Sequence, residues 1–474
     1  MANLQEILSI GQSGLEASKN MLQLASFNVA NANTEGYSRQ SLTLAAQSVL
    51  GLGVSTDDPQ SVRNFFVAKS LVQSYGRLGF HEGQLQSLTV AETAINDLDG
   101  SGVGTSLAAL QNALTVLASN PSGTVERQAV LDAAQGFGNT LKATRQQLSE
   151  ASDVAIGQAT DVALEVSLKS GEIAALNAQI KSAGQGSAAN VLIDKRDVLV
   201  AQLGSLMDVQ VVPSADGSVR LYTMDGKPLV QSELSSKVTV KVSGEPPDYA
   251  VALQLEKPDG NVVNMEAAGG ELGGLIESQN EVIGPALHRL DQIAFEVMKS
   301  FNAIHSGGFG ADGSTGEDFF KAIPADQIET LPSGEEICEG CASRLEVRSE
   351  ILDNPDLFAA SAVAGGAGAG DSQNVQLLAD LFDQPGLMFD NKTITEAWSG
   401  LTSSITSAVV SAQTGQATEE ATVLQFENLL ASETGVSVDE ELVKISVANQ
   451  AFEAASSIIK QTETMTTTLL SLVG

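Results

Sequence analysis

Hydrophobic residues return every seven positions at both ends of the chain. Leu8, Leu15, Leu22 and Val29 form one column, and Leu4, Gly11, Ser18 and Ala25 fill the other seam positions. The spacing predicts a coiled-coil-like helix weakened by polar residues and glycine. It ends at a cluster of asparagines, Asn28, Asn31 and Asn33, and Gly36 supplies the freedom a chain reversal needs. The last segment is stronger, with no glycine or proline from Val436 to Val473. There Ile445, Phe452, Ile459 and Val473 share a column, Ala448, Ala455 and Leu469 a second, and Ala451, Ile458, Met465 and Leu472 a third. Three adjacent columns make a broad apolar face rather than a narrow seam. At about 1.5 Å per residue this segment is a rod of roughly 57 Å. Asp439 and Glu440 in its first turn suit the positive end of the helix dipole. The two terminal stripes can pair with each other and leave apolar surface over for neighbouring subunits.

Between the ends the period changes twice. Residues of about 60–206 carry helical spacing, as in "SLAALQNALTVLAS", with a break at Asn120-Pro121-Ser122-Gly123. From about 207 the alternation is two-fold, through "VQVV", "VRLYTM", "KVTVKV" and "YAVALQL", with turns at Asp225-Gly226 and Asp259-Gly260. This predicts one meander of short strands. Helix resumes at Glu271 and runs to about Ile304, with Pro285 as a kink point. A loop-rich stretch follows, ending in the connector "AGGAGAGDS", and helix returns near Asn374 with a turn near Pro385.

The expected architecture is therefore mainly α with a β insert. Long N- and C-terminal helices pair in a coiled-coil-like rod, with a small inserted β domain and a loop-rich insert. The expected divisions are an N-terminal helix and turn (1–60), a helical rod region (61–206), the β domain (207–270) and a returning helix (271–306). A loop-rich insert (307–372), a second helical rod region (373–435) and the C-terminal helix (436–474) complete the chain.

Charge sharpens this picture. The chain has 58 acidic and 25 basic residues, a formal net charge of −33. That excess opposes nucleic acid and anionic membrane surfaces as partners, because both select basic patches. The terminal segments are nearly neutral, so the acidity sits in the middle. No run of 18 apolar residues exists to span a bilayer, and the first residues lack the basic and apolar regions of a cleaved signal.

The stretch "SGLEASKNMLQLASFNVANANTEGYSRQ" resembles the N-terminal signature of bacterial flagellar axial proteins, the rod, hook and hook-associated subunits. The matching positions are Asn28, Asn31, Asn33, Thr34, Gly36 and Tyr37. The end, from Val438 onward, looks like the paired helix of that family. The stretches "VLIDKRDVLVAQLGSLMDVQVV", "GGELGGLIESQNEVIGPALHRLDQIAFEVMKSFNAIHSGGFG" and "DGSTGEDFF" are similar to the hook-associated protein 1 family, which forms the hook–filament junction. Hook and rod proteins carry a Gln-x-x-Tyr-x-Ala-like stretch in the last helix. Here Asn449-Gln450-Ala451-Phe452 stands in that place, which favours the junction family.

The resemblance implies a secreted, extracellular structural subunit of the flagellum, exported by the type III apparatus without signal cleavage. Its implied partners are identical subunits in a ring, the hook protein, the second hook-associated protein on the filament side, and an export chaperone at the C-terminal helix. The expected assembly interface comprises Leu8, Leu15, Leu22, Val29, Asn31, Asn33, Gly36 and Tyr37, with Ile445, Phe452, Ile459 and Leu469 opposite. Other readings are another axial protein (the second junction protein or a hook subunit), or a surface adhesin or binding role for the inserts.

Candidate chemistry adds little. "HEGQL" at 81–85 begins like a zinc-protease motif, but Leu85 stands where the second histidine is needed. His81, His288 and His305 are far apart and read as isolated surface or helix-face residues. "ADGSTGEDFF" is acidic like a calcium loop, but Ser314 and Gly316 occupy ligand positions, so it reads as a loop before a buried Phe319-Phe320 pair. Cys338 and Cys341 form a CxxC without the second pair of a zinc ribbon. They stand as either a local disulfide formed after export or free thiols. No catalytic residue, metal site or cofactor is expected.

Overall fold

The computed structural model describes residues 2–46, 53–97, 100–244, 249–266, 269–330, 336–365, 370–388 and 391–473. Residues 366–369 of the "AGGAGAGDS" connector lie outside them. The chain opens with helix α1 (Ala2–Ala30), followed by four short strands, β1 (Gln40–Ser41), β2 (Leu44–Ala46), β3 (Val54–Thr56) and β4 (Gln60–Ser61). Four helices follow: α2 (Phe65–Ala94), α3 (Val103–Ser119), α4 (Thr124–Ala183) and α5 (Ser187–Leu206). Seven strands come next, namely β5 (Val209–Pro213), β6 (Val219–Thr223), β7 (Pro228–Gln231), β8 (Leu234–Ser235), β9 (Lys237–Ser243), β10 (Ala250–Glu256) and β11 (Val262–Met265). Helices α6 (Gly270–Glu277) and α7 (Gly284–Ser306) lead to the small strands β12 (Glu329–Thr330) and β13 (Glu336–Ile337). The chain ends with α8 (Ser349–Asp353), α9 (Gln373–Asp380), α10 (Ile394–Thr434) and α11 (Val438–Val473).

Two antiparallel helix pairs join distant parts of the chain. α2 runs along α10, tied by Asn64 to Glu433 at 2.6 Å, Tyr75 to Glu427 at 2.5 Å and Arg77 to Glu419 at 2.9 Å. Both helices begin on strong caps. Asn64 accepts from the amides of Phe66 and Val67, and Thr393 and Glu396 form a reciprocal capping box. α1 and α11 make the second pair, described below.

α4 is the spine. At 60 residues it runs about 90 Å, and it contributes to both hydrophobic cores. One core gathers α3, α7, α9 and α10 around Phe137, Phe295 and Phe301. The other joins α4 to α5, α6 and the sheets through Val166, Leu203, Leu253 and Leu275. α2 meets α5 and α6 through Gly76, Gly79 and Gly83. A Cβ at Gly79 would lie 2.0 Å from the Ser205 carbonyl, and one at Gly83 2.3 Å from that of Glu271. Only glycine admits backbones this close.

The predicted single meander is instead two antiparallel sheets, β5-β6-β7-β8 and β11-β10-β9. Each has its own anchor on α4. Buried Asn177 bonds the first sheet through Val219 and Ser232, and Ser167 bonds the second through both backbone groups of Val238. Two-fold alternation marks strands but does not say which edges pair.

Helical backbone runs unbroken from Gly270 to Ser306, as expected, but as α6, a π-helical stretch at Ser278–Ile283 and α7. Pro285 follows directly on the π-helical stretch, whose wider turn suits a residue with no amide to donate. The turn presents Asn280 to β10, with Nδ2 donating to the Val251 carbonyl and Oδ1 accepting from the Val251 amide.

The loop-rich stretch after α7 shares the helices' core rather than building one of its own. Phe319, Phe320 and Phe358 are fully buried in it, Phe319 lying 4.8 Å from Phe301 between ring centres. Arg127 of α4, also fully buried, clamps this stretch by donating to the carbonyls of Phe358 at 2.5 Å and Pro121 at 2.7 Å. His305 was expected at a surface or helix face and is buried instead. Its ring bridges the Glu317 carbonyl and the Ala359 amide. A histidine with two backbone partners can be buried neutral, which spacing along the sequence does not show.

Candidate functional site at the terminal helix pair

α1 and α11 pack antiparallel, and their closest seam is lined by small residues. Gly11, Ser18 and Ala25 of α1 face Ala448 and Ala455 of α11, and all but Gly11 leave only a small side chain between the backbones. A Cβ at Gly11 would lie 2.9 Å from Ile459 Cγ1. The leucine column flanks this seam: Leu8, Leu15, Leu22 and Val29 are half-buried, as are Ile445 and Ile459. Phe452 and Leu469 are exposed at 39% and 46%. Ile7, Ile10, Leu442, Val447, Met465 and Leu470 are exposed as well, so the pair carries apolar surface on its outside. The side chains of Leu472 and Val473 lie outside the described residues.

Where α1 ends, the asparagines divide their work. Asn28 is buried and makes four hydrogen bonds. Its Nδ2 donates to the Gln40 carbonyl at 2.9 Å and to Glu441 Oε2 at 3.0 Å. Its Oδ1 accepts from Tyr37 Oη at 2.6 Å and the Gln40 amide at 3.0 Å. Asn31 is half-buried and donates back to the Phe27 carbonyl, while Asn33 is exposed. Tyr37 meets Phe27 edge to face at 5.9 Å, and burial, with the charges of Asp194 and Glu441, pushes its hydroxyl up to about 12.

The turn docks on the body. Gly36 has φ of 72°, and a Cβ there would lie 2.2 Å from Val198 of α5. Arg63 holds Asp194 at 2.7 Å, and Asp194 accepts from the Ser38 amide at 3.3 Å. The Arg39 amide donates to the Thr434 carbonyl at the end of α10, and the Arg39 side chain reaches Glu440 at 3.3 Å. One joint thus ties α1, α5, α10 and α11. Along α1 lies the β2–β3 hairpin, held by Asn20 to Thr56 and by the Val54 amide to Ser13.

Sequence reasoning named Asn28 as a motif match but left it, with Gln40 and Glu441, out of the interface. The signal was present: Glu441 lies one heptad before Ala448, and Asn28 three residues after Ala25, so both are polar residues in seam register.

The other candidates fall out as structure. His81 lies over Gly415 and contacts Gln84 at 3.1 Å. Asp312 caps its own turn by accepting from the Ser314 amide at 2.9 Å. Among the described residues no helix is long and apolar enough to cross a membrane.

A family model described as the flagellar hook-associated protein FlgK helical domain matches residues 88–320. A second, the flagellar basal body rod FlgEFG protein C-terminal, matches residues 431–472. The flagellar hook-associated protein 1 of Escherichia coli (strain K12) is 24% identical over 99% of this chain and 100% of its own length. That of Bacillus subtilis (strain 168) is 23% identical over 95% of each. That of Salmonella typhimurium is 29% identical over 67% of this chain and 59% of its own. The solved flagellar hook junction protein FlgK from Burkholderia pseudomallei shares the fold, with a TM-score of 0.66 at 17% identity, over 78% of this chain and 100% of that one.

A rod of paired terminal helices, continued by a helical body, places the chain among the structural axial proteins of the bacterial flagellum. Within that class it belongs to the flagellar hook-associated protein 1 (FlgK) family.

Proposed function

We propose that this protein forms the junction between hook and filament and that the α1–α11 pair is its assembly site. The observation that carries the reading is the apolar outer face left after the two helices pack on each other. Ile7, Ile10, Leu442, Phe452 and Leu469 stay exposed on a pair whose own seam is already filled. A subunit lattice can cover that face, whereas a free monomer has to hydrate it.

In this reading Leu8, Leu15, Leu22, Val29, Ile445, Phe452, Ile459 and Leu469 support contacts between subunits. The joint at Asn31, Asn33, Gly36 and Tyr37 sets the angle between rod and body. Partners are identical subunits in a ring, the hook protein on one side and the second hook-associated protein on the other. The C-terminal helix, with the broader exposed face, is the surface an export chaperone would shield. The protein is secreted and extracellular, and its role is structural rather than catalytic.

The test is a chain lacking 438–474. It should remain soluble and folded yet fail to join purified hooks, and its recovery at hook tips would sink the reading. A null strain should show hooks without filaments by electron microscopy, with filament protein lost to the medium.

A further inference from the structure

Between β13 and α8 the chain makes a tight ring of four residues, Cys338 to Cys341, closed by a disulfide with Cα atoms 5.7 Å apart. The ring packs on α4 and α7, and both cysteines are buried. Gly340 within it has φ of 75°, which favours glycine. Two amides, two residues apart, then converge on one carboxylate: Gly340 N donates to Asp291 Oδ2 at 2.8 Å, and Ala342 N to Asp291 Oδ1 at 2.9 Å. Asp291 stands on α7 and is 2% exposed. Its other partner is Arg145 of α4, whose Nε lies 2.9 Å and 3.1 Å from the two oxygens.

Burying a carboxylate is costly unless donors replace its water. Half of the donor contacts to Asp291 come from Gly340 in the ring and from Ala342, the residue just after it. Two short-range turn bonds close on the ring, Ser343 N to the Gly340 carbonyl and Arg344 N to that of Cys341. On its N-terminal side, among the described residues, β13 pairs with two-residue β12, and Lys299 holds Glu336 at an exposed ion pair.

We propose that Cys338–Cys341 is a redox lock on the buried Asp291–Arg145 pair. Reduced, the ring opens and segment 336–345 loosens from α4 and α7. Oxidised, it fixes both amide donors on the carboxylate and staples the loop-rich stretch to the helical core. Closure breaks two S–H bonds and forms one S–S bond. The two protons and two electrons pass to a small-molecule disulfide, which is cleaved to two thiols as it accepts them. Thiols persist in a reducing cytosol and disulfides outside it, so the lock closes after the chain leaves the cell. That timing rests on the proposed export; the lock itself does not.

Hydrogen exchange on the full-length protein tests it, with oxidised glutathione in one arm and dithiothreitol in the other. Reduction should speed exchange of the Gly340 and Ala342 amides about tenfold or more, leave the middle of α4 unchanged, and reverse on reoxidation. The double variant C338S/C341S should exchange fast in both arms. Equal protection of the two amides in reduced and oxidised wild-type protein would overturn the lock, as would full alkylation of both thiols in the oxidised arm. Alkylation of chain taken from cells and from isolated flagella then tests the timing. Free thiols inside and a disulfide outside support it. Free thiols in flagella overturn the timing alone, and absence of the chain from flagella overturns the functional reading.

Discussion

Asn28 and Glu441 stand 413 positions apart in the chain and meet at 3.0 Å, Nδ2 of Asn28 donating to Oε2 of Glu441. Both are buried, and Lys444 takes the other Glu441 oxygen at 2.6 Å. The contact sets the register of α1 against α11, because a shift of one residue would leave a buried carboxylate facing an apolar neighbour. Asn28→Ala strips donors and acceptors from Glu441, Tyr37 and Gln40 at once and should cost about 1–3 kcal/mol in the terminal pair. Asn28→Asp should cost more, by setting a second negative charge beside Glu441. Urea unfolding followed by hydrogen exchange in α1 reads both, and an unchanged exchange pattern in Asn28→Ala would exclude this role.

The α2 glycines and the open glycines of the long helices should respond oppositely to alanine. At Gly79 and Gly83 the added carbon meets backbone at 2.0 Å and 2.3 Å, so the helices must separate. The expected loss is about 1–3 kcal/mol. At Gly136 and Gly157 of α4 and Gly400 of α10 nothing lies within 4 Å, and alanine should stabilise by about 0.5–1 kcal/mol through helix propensity alone. Denaturant midpoints of the five single variants check the pattern.

Stability in mild acid should reflect two opposed groups. The Ala359 amide donates to His305 Nε2, so the proton sits on Nδ1 and points to the Glu317 carbonyl; burial pushes the imidazole down to about 4. The unfolded imidazole protonates near its ordinary value of about 6.5, so the unfolded chain binds more protons in between. His305 therefore withdraws stability as the pH falls from about 6.5 to about 4. Asp208 does the reverse: burial raises its carboxyl to about 6, so the folded chain takes up its proton first and gains stability as the pH falls from about 6 towards the ordinary value of about 3.9. Asp208→Asn should stabilise at neutral pH and steepen the loss on acidification, whereas His305→Gln should flatten it. Urea midpoints at several pH values between 4 and 7 measure both slopes.

Removing both terminal helices should leave the body intact. Neither hydrophobic core draws a residue from α1 or α11. A chain spanning 31–437 is expected to lose helical signal in proportion to the deleted residues and to keep its main thermal transition within a few degrees. Collapse of that transition would show that rod and body fold as one unit.

Much of this protein was legible from periodicity. The seven-residue columns, the break at Asn120 to Gly123, the change to two-fold alternation after residue 207 and the buried Phe319-Phe320 pair depend on neighbours a few positions away. Such patterns are written directly into the order of residues. The terminal pairing was legible too, since two long uncharged stripes have few other ways to hide apolar surface.

Tertiary structure decided the rest. It sorted the strands into two sheets through Asn177 and Ser167, turned the region before Pro285 into a π-turn, and placed His305 inside. It also buried the small residues already in seam register, Gly11, Ser18, Ala25, Ala448 and Ala455, more deeply than the column of Leu8, Leu15, Leu22 and Val29. Each of these outcomes depends on a partner dozens or hundreds of positions away. Sequence determines which residues can bury or donate; only the fold determines what they bury against and to whom they donate, because a hydrogen bond or a close backbone approach exists only once both sides are in place.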